Sequence, residues 1–210
     1  MTSFLGLLSI LSVLAAPGYA LSCVQCASAS TCSGSSVTCL SGYECGSLYT
    51  ESEGAVHVVR GCTPKRECNF KGNIVLDNGK FKMATTCCNT DNCTPAPPVF
   101  VPLNSEPNGL ACPSCEMANS TSCESSNTIQ CTGEERRCVL WAVETTGVHA
   151  VKVAYRGCAT PSVCDLGSQS ITIEGTTENI KYECSGGGTS VQRGVVTPAV
   201  VCLLLLTWLL

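Results

Sequence analysis

Histidine is nearly absent from this chain. Only two occur among 210 residues, His57 and His149, which leaves little for a histidine-based metal site or general base. Each sits in an apolar alternating stretch, Val56-His57-Val58 and Val148-His149-Ala150, and both read as strand-surface residues. Positive charge is also scarce. The 12 Lys and Arg stand against 16 Asp and Glu, a mildly acidic balance that gives no support to binding nucleic acid or anionic lipid. No nucleophile, base and carboxylate fall into a catalytic arrangement, and no glycine-rich phosphate loop is present. The acids Glu134-Glu135 adjoin Arg136-Arg137 and read as a solvated charged loop. These absences predict a protein that is not an enzyme and uses no cofactor. Sustained helical periodicity is missing between the two ends, so strands must carry the fold.

What the chain has in quantity is cysteine, 19 in all. They fall in two series of nearly equal spacing: Cys23, Cys26, Cys32, Cys39, Cys45, Cys62, Cys68, Cys87, Cys88 and Cys93, then Cys112, Cys115, Cys123, Cys131, Cys138, Cys158, Cys164 and Cys184. Both series open Cys-x-x-Cys, and both later carry Arg-Gly-Cys with another cysteine six positions on, at Arg60-Gly61-Cys62 and Arg156-Gly157-Cys158. Such self-similarity marks two copies of one unit. A unit of about 75 residues buries too little apolar surface to fold securely alone, so cross-links must supply the difference. The Cys-x-x-Cys pairs could also be redox or zinc pairs. A redox dithiol normally opens a helix that lowers its thiol pKa, and no helix pattern follows either pair. Zinc would want four ligands, and the two histidines are all that stand beside cysteine. Structural disulfides are the reading these residues favour.

Both ends of the chain point to the secretory route. Residues 4–16 are apolar and lead into Pro17-Gly18-Tyr19-Ala20, a signal-peptidase pattern that predicts removal of residues 1–20 and an oxidising destination. Residues 195–210 form a second apolar run, interrupted by Pro198 and shorter than the roughly 20 residues of an ordinary membrane span. Before it stand Ser185-Gly186-Gly187-Gly188-Thr189-Ser190 and Arg193. Small residues, a polar spacer and an apolar tail make the signal for a glycosylphosphatidylinositol (GPI) anchor. That reading places attachment at Ser185 or Gly186, with 185–194 as site and spacer and 195–210 removed. Removal would take Cys202 with it and leave an even number of cysteines.

Strand signals inside the repeats are short and paired. Residues 43–50 and 55–61 flank Glu51-Ser52-Glu53-Gly54, and 74–76 and 80–85 flank Asp77-Asn78-Gly79, where Asn-Gly is a strong hairpin cue. In the second unit 138–145 and 148–157 flank Thr146-Gly147, and 171–173 and 179–184 make a later pair. Between the units, residues 95–109 are proline-rich and predict a semi-stiff connector joining separately folded domains. Phe100 and Val101 could instead pack on one of them.

Leu21-Ser22-Cys23-Val24-Gln25-Cys26 at the expected mature start, and Cys87-Cys88-Asn89-Thr90-Asp91-Asn92-Cys93 closing the first unit, resemble the lymphocyte-antigen-6/urokinase-receptor family. The resemblance covers 21–94 and 110–184 and implies an all-β, disulfide-rich fold of two tandem three-finger (snake-toxin-like) domains. It also implies the pairs Cys23–Cys45, Cys26–Cys32, Cys39–Cys62, Cys68–Cys87 and Cys88–Cys93. By the same register the second domain would pair Cys112–Cys138, Cys115–Cys123, Cys131–Cys158 and Cys164–Cys184. Two positions depart from the pattern: Thr94 stands where the family usually has Asn, and the second unit lacks the final cysteine pair. That ending, with the entry Pro107-Asn108-Gly109-Leu110-Ala111-Cys112-Pro113, looks like the two-domain branch containing the gamma-type phospholipase A₂ inhibitors.

The resemblance implies a non-enzymatic binding protein at the outer face of the plasma membrane, with a secreted form also compatible. Its partner would be an extracellular protein, and a secreted phospholipase A₂ is the alternative that the inhibitor branch suggests. Candidate contact positions are the hairpin tips, with Glu51, Glu53 and Glu144, and the facing aromatics Trp141 and Tyr155, for which a structural cross-strand pair is the favoured reading. Asn119-Ser120-Thr121 is the expected glycosylation site, whereas Asn92-Cys93-Thr94 has its middle residue in an expected disulfide. Without the final bridge, the second unit is expected to be the more open at its base and its aromatic strand surface the more adaptable.

Overall fold

The computed structural model describes residues 20–28, 32–147, 150–173 and 175–186. The expected signal segment up to residue 19, the spacer from residue 187, the apolar tail and His149 lie outside the described residues. The first unit contains strands β1 (Ser22–Ser28), β2 (Ser35–Thr38), β3 (Tyr43–Ser52), β4 (Ala55–Pro64), β5 (Lys71–Leu76) and β6 (Gly79–Cys88). The second contains β7 (Pro107–Pro113), β8 (Cys115–Ala118), β9 (Thr128–Thr132), β10 (Arg137–Thr146), β11 (Val151–Ala159), β12 (Ser168–Ile173) and β13 (Thr176–Ser185). Among the described residues, helix is confined to a 3-10 turn at Lys65–Glu67 and one α-turn, α1, at Pro161–Cys164. In α1, Pro161 supplies the fixed φ that suits a first helical position.

Short turns set the hairpins. β3 and β4 pair down to Ser52↔Ala55, so Glu53 and Gly54 alone make the bend, at φ 52° and 84°. A two-residue turn matching strand twist needs φ above zero at both places, which glycine takes without steric cost. β5 and β6 close at Leu76↔Gly79. The turn there is Asp77-Asn78, one residue earlier than the Asn-Gly cue suggests, and Gly79 already belongs to β6.

Nine disulfides staple these strands. In the first unit they join Cys23 to Cys45, Cys26 to Cys32, Cys39 to Cys62, Cys68 to Cys87 and Cys88 to Cys93. In the second they join Cys112 to Cys138, Cys115 to Cys123, Cys131 to Cys158 and Cys164 to Cys184. The two arginines of the repeated Arg-Gly-Cys brace equivalent places. Arg60 Nη1 donates to the Cys32 carbonyl at 3.1 Å, and Arg156 Nε donates to the Cys123 carbonyl at 2.7 Å.

The two units are joined through one sheet. One sheet runs β12-β13-β10-β11-β5-β6-β3-β4-β1-β2, with β8 also on β11. Its crossing from one unit to the other is the antiparallel contact Cys158↔Val75 and Ala159↔Ile74. The largest apolar cluster is shared: Ile74, Leu76 and Met83 pack with Val139, Ala159, Val163 and Tyr182. In it β5 and β6 carry apolar residues that pack against the second unit. The proline-rich connector packs on the fold at its middle: Phe100 packs on the Tyr49 and Val58 cluster, and Leu103 joins the cluster of Val75, Cys112 and Cys158.

Candidate functional site

At the tips, two of the three acidic side chains are already engaged. Glu51 meets Lys82 Nζ at 2.5 Å and accepts from the Gly54 amide at 3.1 Å. The hydrogen bond from Lys82 holds the Glu51 carboxyl below the usual carboxylate range, against a smaller opposing effect of burial. Glu144 pairs with Lys152 at 2.7 Å. Glu53 stays exposed on the turn, and His57 is exposed two residues beyond Ala55. Asn119 is exposed, with φ 60°, and so is open to modification. Asn92 Oδ1 accepts from Ser36 Oγ at 2.7 Å.

Trp141 and Tyr155 lie at neither tip. They face each other across β10 and β11, with ring centroids 5.4 Å apart. Trp141 also meets Phe81 of the first unit edge-on at 5.4 Å and stacks near Tyr182 at 6.4 Å. Such aromatic pairs contribute about 0.5–1.5 kcal/mol beyond their burial. The aromatic surface is therefore taken up in joining the units. Burial, with the charge of Glu116, pushes the Tyr155 hydroxyl up, and burial pushes Tyr182 up further.

Two sets of sulfurs converge, those of Cys23, Cys39 and Cys62 and those of Cys112, Cys131 and Cys158, each within 4.8 Å. Every one of these atoms is bonded in a disulfide. A metal ligand or redox nucleophile needs the thiolate, so the clusters are stacked bridges.

Around the joint, polar contacts cross between the units. Thr160 N donates to the Asn73 carbonyl, and Asn73 N donates to Thr160 Oγ1, both at 3.0 Å. Asn73 Nδ2 donates to the buried Glu135 carboxylate at 3.3 Å, so Glu135 is not the solvated loop residue its neighbours suggest. Ser114, in the second Cys-x-x-Cys, donates to the Asp77 carboxylate. Sequence reading missed Ser114, Asn73 and Glu135. Only their place beside repeated motifs could have drawn attention to them.

A cleft also opens between the units, with a cavity of about 350 Å³, inside the roughly 300–1,000 Å³ range of ligand pockets. Its rims are the end of β4, at Gly61, Cys62 and Thr63, and β12, from Ser168 to Thr172. Its floor includes Leu48, Phe70, Met83, Leu166, Ile171 and Tyr182. Arg60, Arg66 and Glu67 supply its charges. Two hydrogen bonds span it: Gln25 Nε2 to the Thr172 carbonyl at 2.6 Å, and Gln169 Nε2 to Glu67 Oε2 at 3.1 Å.

Paired hairpins held at their bases by stacked disulfides, repeated twice, define a tandem three-finger architecture. The chain belongs to the u-PAR/Ly-6 domain family, whose model matches residues 19–96 and 108–188. It is similar to the phospholipase A2 inhibitor NAI of Notechis ater, at 36% identity over 40% of this chain and 42% of that protein. It is 35% identical to a phospholipase A2 inhibitor gamma subunit of Elaphe climacophora, over 38% of this chain and 40% of that one. With the urokinase plasminogen activator surface receptor of Bos taurus it shares 34% identity over 66% of this chain and 41% of the receptor. The chain thus spans about two fifths of the length of these curated relatives.

Proposed function

We propose that the protein is a non-enzymatic, extracellular binding protein, held at the outer face of the plasma membrane by a GPI anchor, that engages a protein partner through its two three-finger domains. The domains are residues 21–94 and 110–184, with 95–109 between them, residues 1–20 a removed signal peptide and Ser185 or Gly186 the anchor site. The observation that carries the reading is the use of cysteine: all eighteen described cysteines are joined in nine disulfides, which makes a rigid platform and leaves no described thiol for chemistry. The anchor part rests on the small residues after Cys184 and the apolar tail. Asn119, exposed on its loop, is the glycosylation site.

Phosphatidylinositol-specific phospholipase C applied to expressing cells is expected to release the protein into the medium. Retention of the protein together with residues 195–210, seen by mass spectrometry, would overturn the anchor. A second reading is favoured by the relatives named as phospholipase A₂ inhibitors: occlusion of a secreted phospholipase A₂. It predicts that the protein lowers hydrolysis of phosphatidylcholine vesicles by a secreted phospholipase A₂ at stoichiometric ratio. Unchanged hydrolysis and no complex on gel filtration would remove it.

A further inference from the structure

The two units offer each other two joints of the same kind, and only one is closed. In the closed joint the Arg-Gly-Cys strand of the second unit, β11, meets β5 of the first at Cys158↔Val75. The corresponding pair is the Arg-Gly-Cys strand of the first unit, β4, and β12 of the second. Counting from the hairpin ends, Leu76↔Gly79 and Ile173↔Thr176, Thr172 corresponds to Val75, as Cys62 does to Cys158. These two edges face each other across the cleft but are not paired with one another in the sheet order.

Neither edge is paired to a further strand along its whole length. β1 covers β4 only through Ser28↔Val58, Ala27↔Val59 and Cys26↔Arg60, so the stretch 61–64 runs beyond it. β12 ends the sheet, paired on one side to β13. Thr172 turns its carbonyl outward to Gln25, and alternation along a strand gives Ser168 and Ser170 the same outward edge.

The joints differ at the position before the last cysteine of the Cys-x-x-Cys. In the second Cys-x-x-Cys the position before the last cysteine is Ser114, small and 3% exposed, and β5 closes against β11 so tightly that a Cβ on Gly157 would stand 2.3 Å from the Val75 carbonyl oxygen. In the first it is Gln25. Its side chain lies over Gly61, 4.0 Å from where a Cβ would be, and its amide donates to Thr172 as a strand amide would. Gln25 thus lies between the two edges and bridges them.

We propose that this cleft takes an extended segment of a partner protein, rich in acidic side chains, which enters as a strand between β4 and β12 and displaces the Gln25 amide from Thr172. Strand addition supplies main-chain hydrogen bonds on both edges, and alternate side chains reach the apolar floor. The acidic character follows from the charges. Arg60 and Arg66 face one carboxylate, Glu67, which already accepts from Arg66 and Gln169. Arg60 Nε is buried with no hydrogen-bond partner among the described residues. The slot rests on the binding-protein reading and gives it a site.

The test uses the full chain, isotope-labelled in detergent micelles, with a capped heptapeptide of alternating valine and glutamate as probe. Controls are the same peptide with alternating valine and lysine, and the valine-glutamate peptide N-methylated at alternate amides. The valine-glutamate peptide is expected to shift the amides of 61–63 and 168–172 and to slow exchange at Ser170 at least tenfold. Arg66→Glu, at a side chain 82% exposed, should weaken binding about tenfold, and Ser170→Pro on the edge strand should abolish it. Arg66→Glu carries the test if Ser170→Pro fails to fold. No shift at millimolar peptide, or equal binding of the N-methylated peptide, overturns the slot. Equal binding of the lysine peptide overturns the acidic assignment. Self-association that protects the same amides makes the occupant a second copy and overturns the partner. Cell release by phospholipase C is independent of every one of these outcomes, so failure here and failure of the anchored reading are told apart.

Discussion

Gly157 and Gly61 are the same residue of the same motif, yet they carry different loads. A methyl group at 157 would stand 2.3 Å from the Val75 carbonyl oxygen, a backbone atom that cannot swing aside, whereas at 61 the nearest atom is Gln25 Cγ at 4.0 Å. Gly157→Ala is therefore expected to destabilise by about 1–3 kcal/mol, the range of an overpacked core. Gly61→Ala should stay within about 0.5 kcal/mol, as surface changes usually do. Urea unfolding of the two variants checks this, and equal losses would mean that Gly157 does not sit in the joint. Glu178 provides a test by pH. Burial holds its carboxyl above the usual range, so its contribution to stability is fullest below the ordinary carboxylate pKa and is lost as pH rises through the raised folded value. Glu178→Gln should accordingly gain melting temperature over the parent at about pH 7 and lose that advantage at about pH 4. Glu51 has the opposite sign: its lowered value makes a contribution that is present at neutral pH and lost on acidification.

Among the elements, the missing last bridge of the second unit matters less than its sequence suggests. β13 pairs with β10 from Thr146↔Thr177 to Cys138↔Ser185, so it is hydrogen-bonded to its final residue, and β12 covers its other side. Where the first unit closes with a small disulfide loop at Cys88–Cys93, the second closes with strand pairing. Amides at Asn179, Lys181 and Glu183 should exchange within about tenfold of those in β6, which also lies between two strands. Exchange more than a hundredfold faster would restore the open base. The hairpins were legible in the sequence because turn residues leave a local signature, although the four-residue loop expected at 51–54 is a two-residue turn and the Asn78-Gly79 cue lies one residue late. The joint between β11 and β5 was not, because no local pattern says which strand edge meets which. The aromatic pair shows the same limit. The sequence placed Trp141 and Tyr155 on facing strands, where they pair, but Phe81, which meets Trp141, comes from the other unit.

For the whole molecule, a shared core predicts shared unfolding. Ile74, Leu76 and Met83 lose their cover if Val139, Val163 and Tyr182 depart, so calorimetry should show one cooperative transition for both units. Two well-separated transitions would indicate independent domains. Reduction should abolish the transition, since each bridge closing about 15 residues or more contributes on the order of 3 kcal/mol to a total of about 5–15 kcal/mol. A transition that survives full reduction would count against that account. The cysteine repeat made the architecture legible, and the tip acids were found where the hairpins put them. The cleft was hidden because it depends on Gln25 and Ser114 occupying one position in two copies, a contrast that acquires meaning only when the copies face each other. The Cys164–Cys184 bridge has a mechanical consequence as well. Tension applied from beyond Ser185 reaches the fold one residue before that exit, through a covalent bond into α1. The ladder of β13 on β10 inward of Cys184 is shielded from peeling, because tension at that end passes into sulfur once the outermost pairing, Cys138↔Ser185, yields.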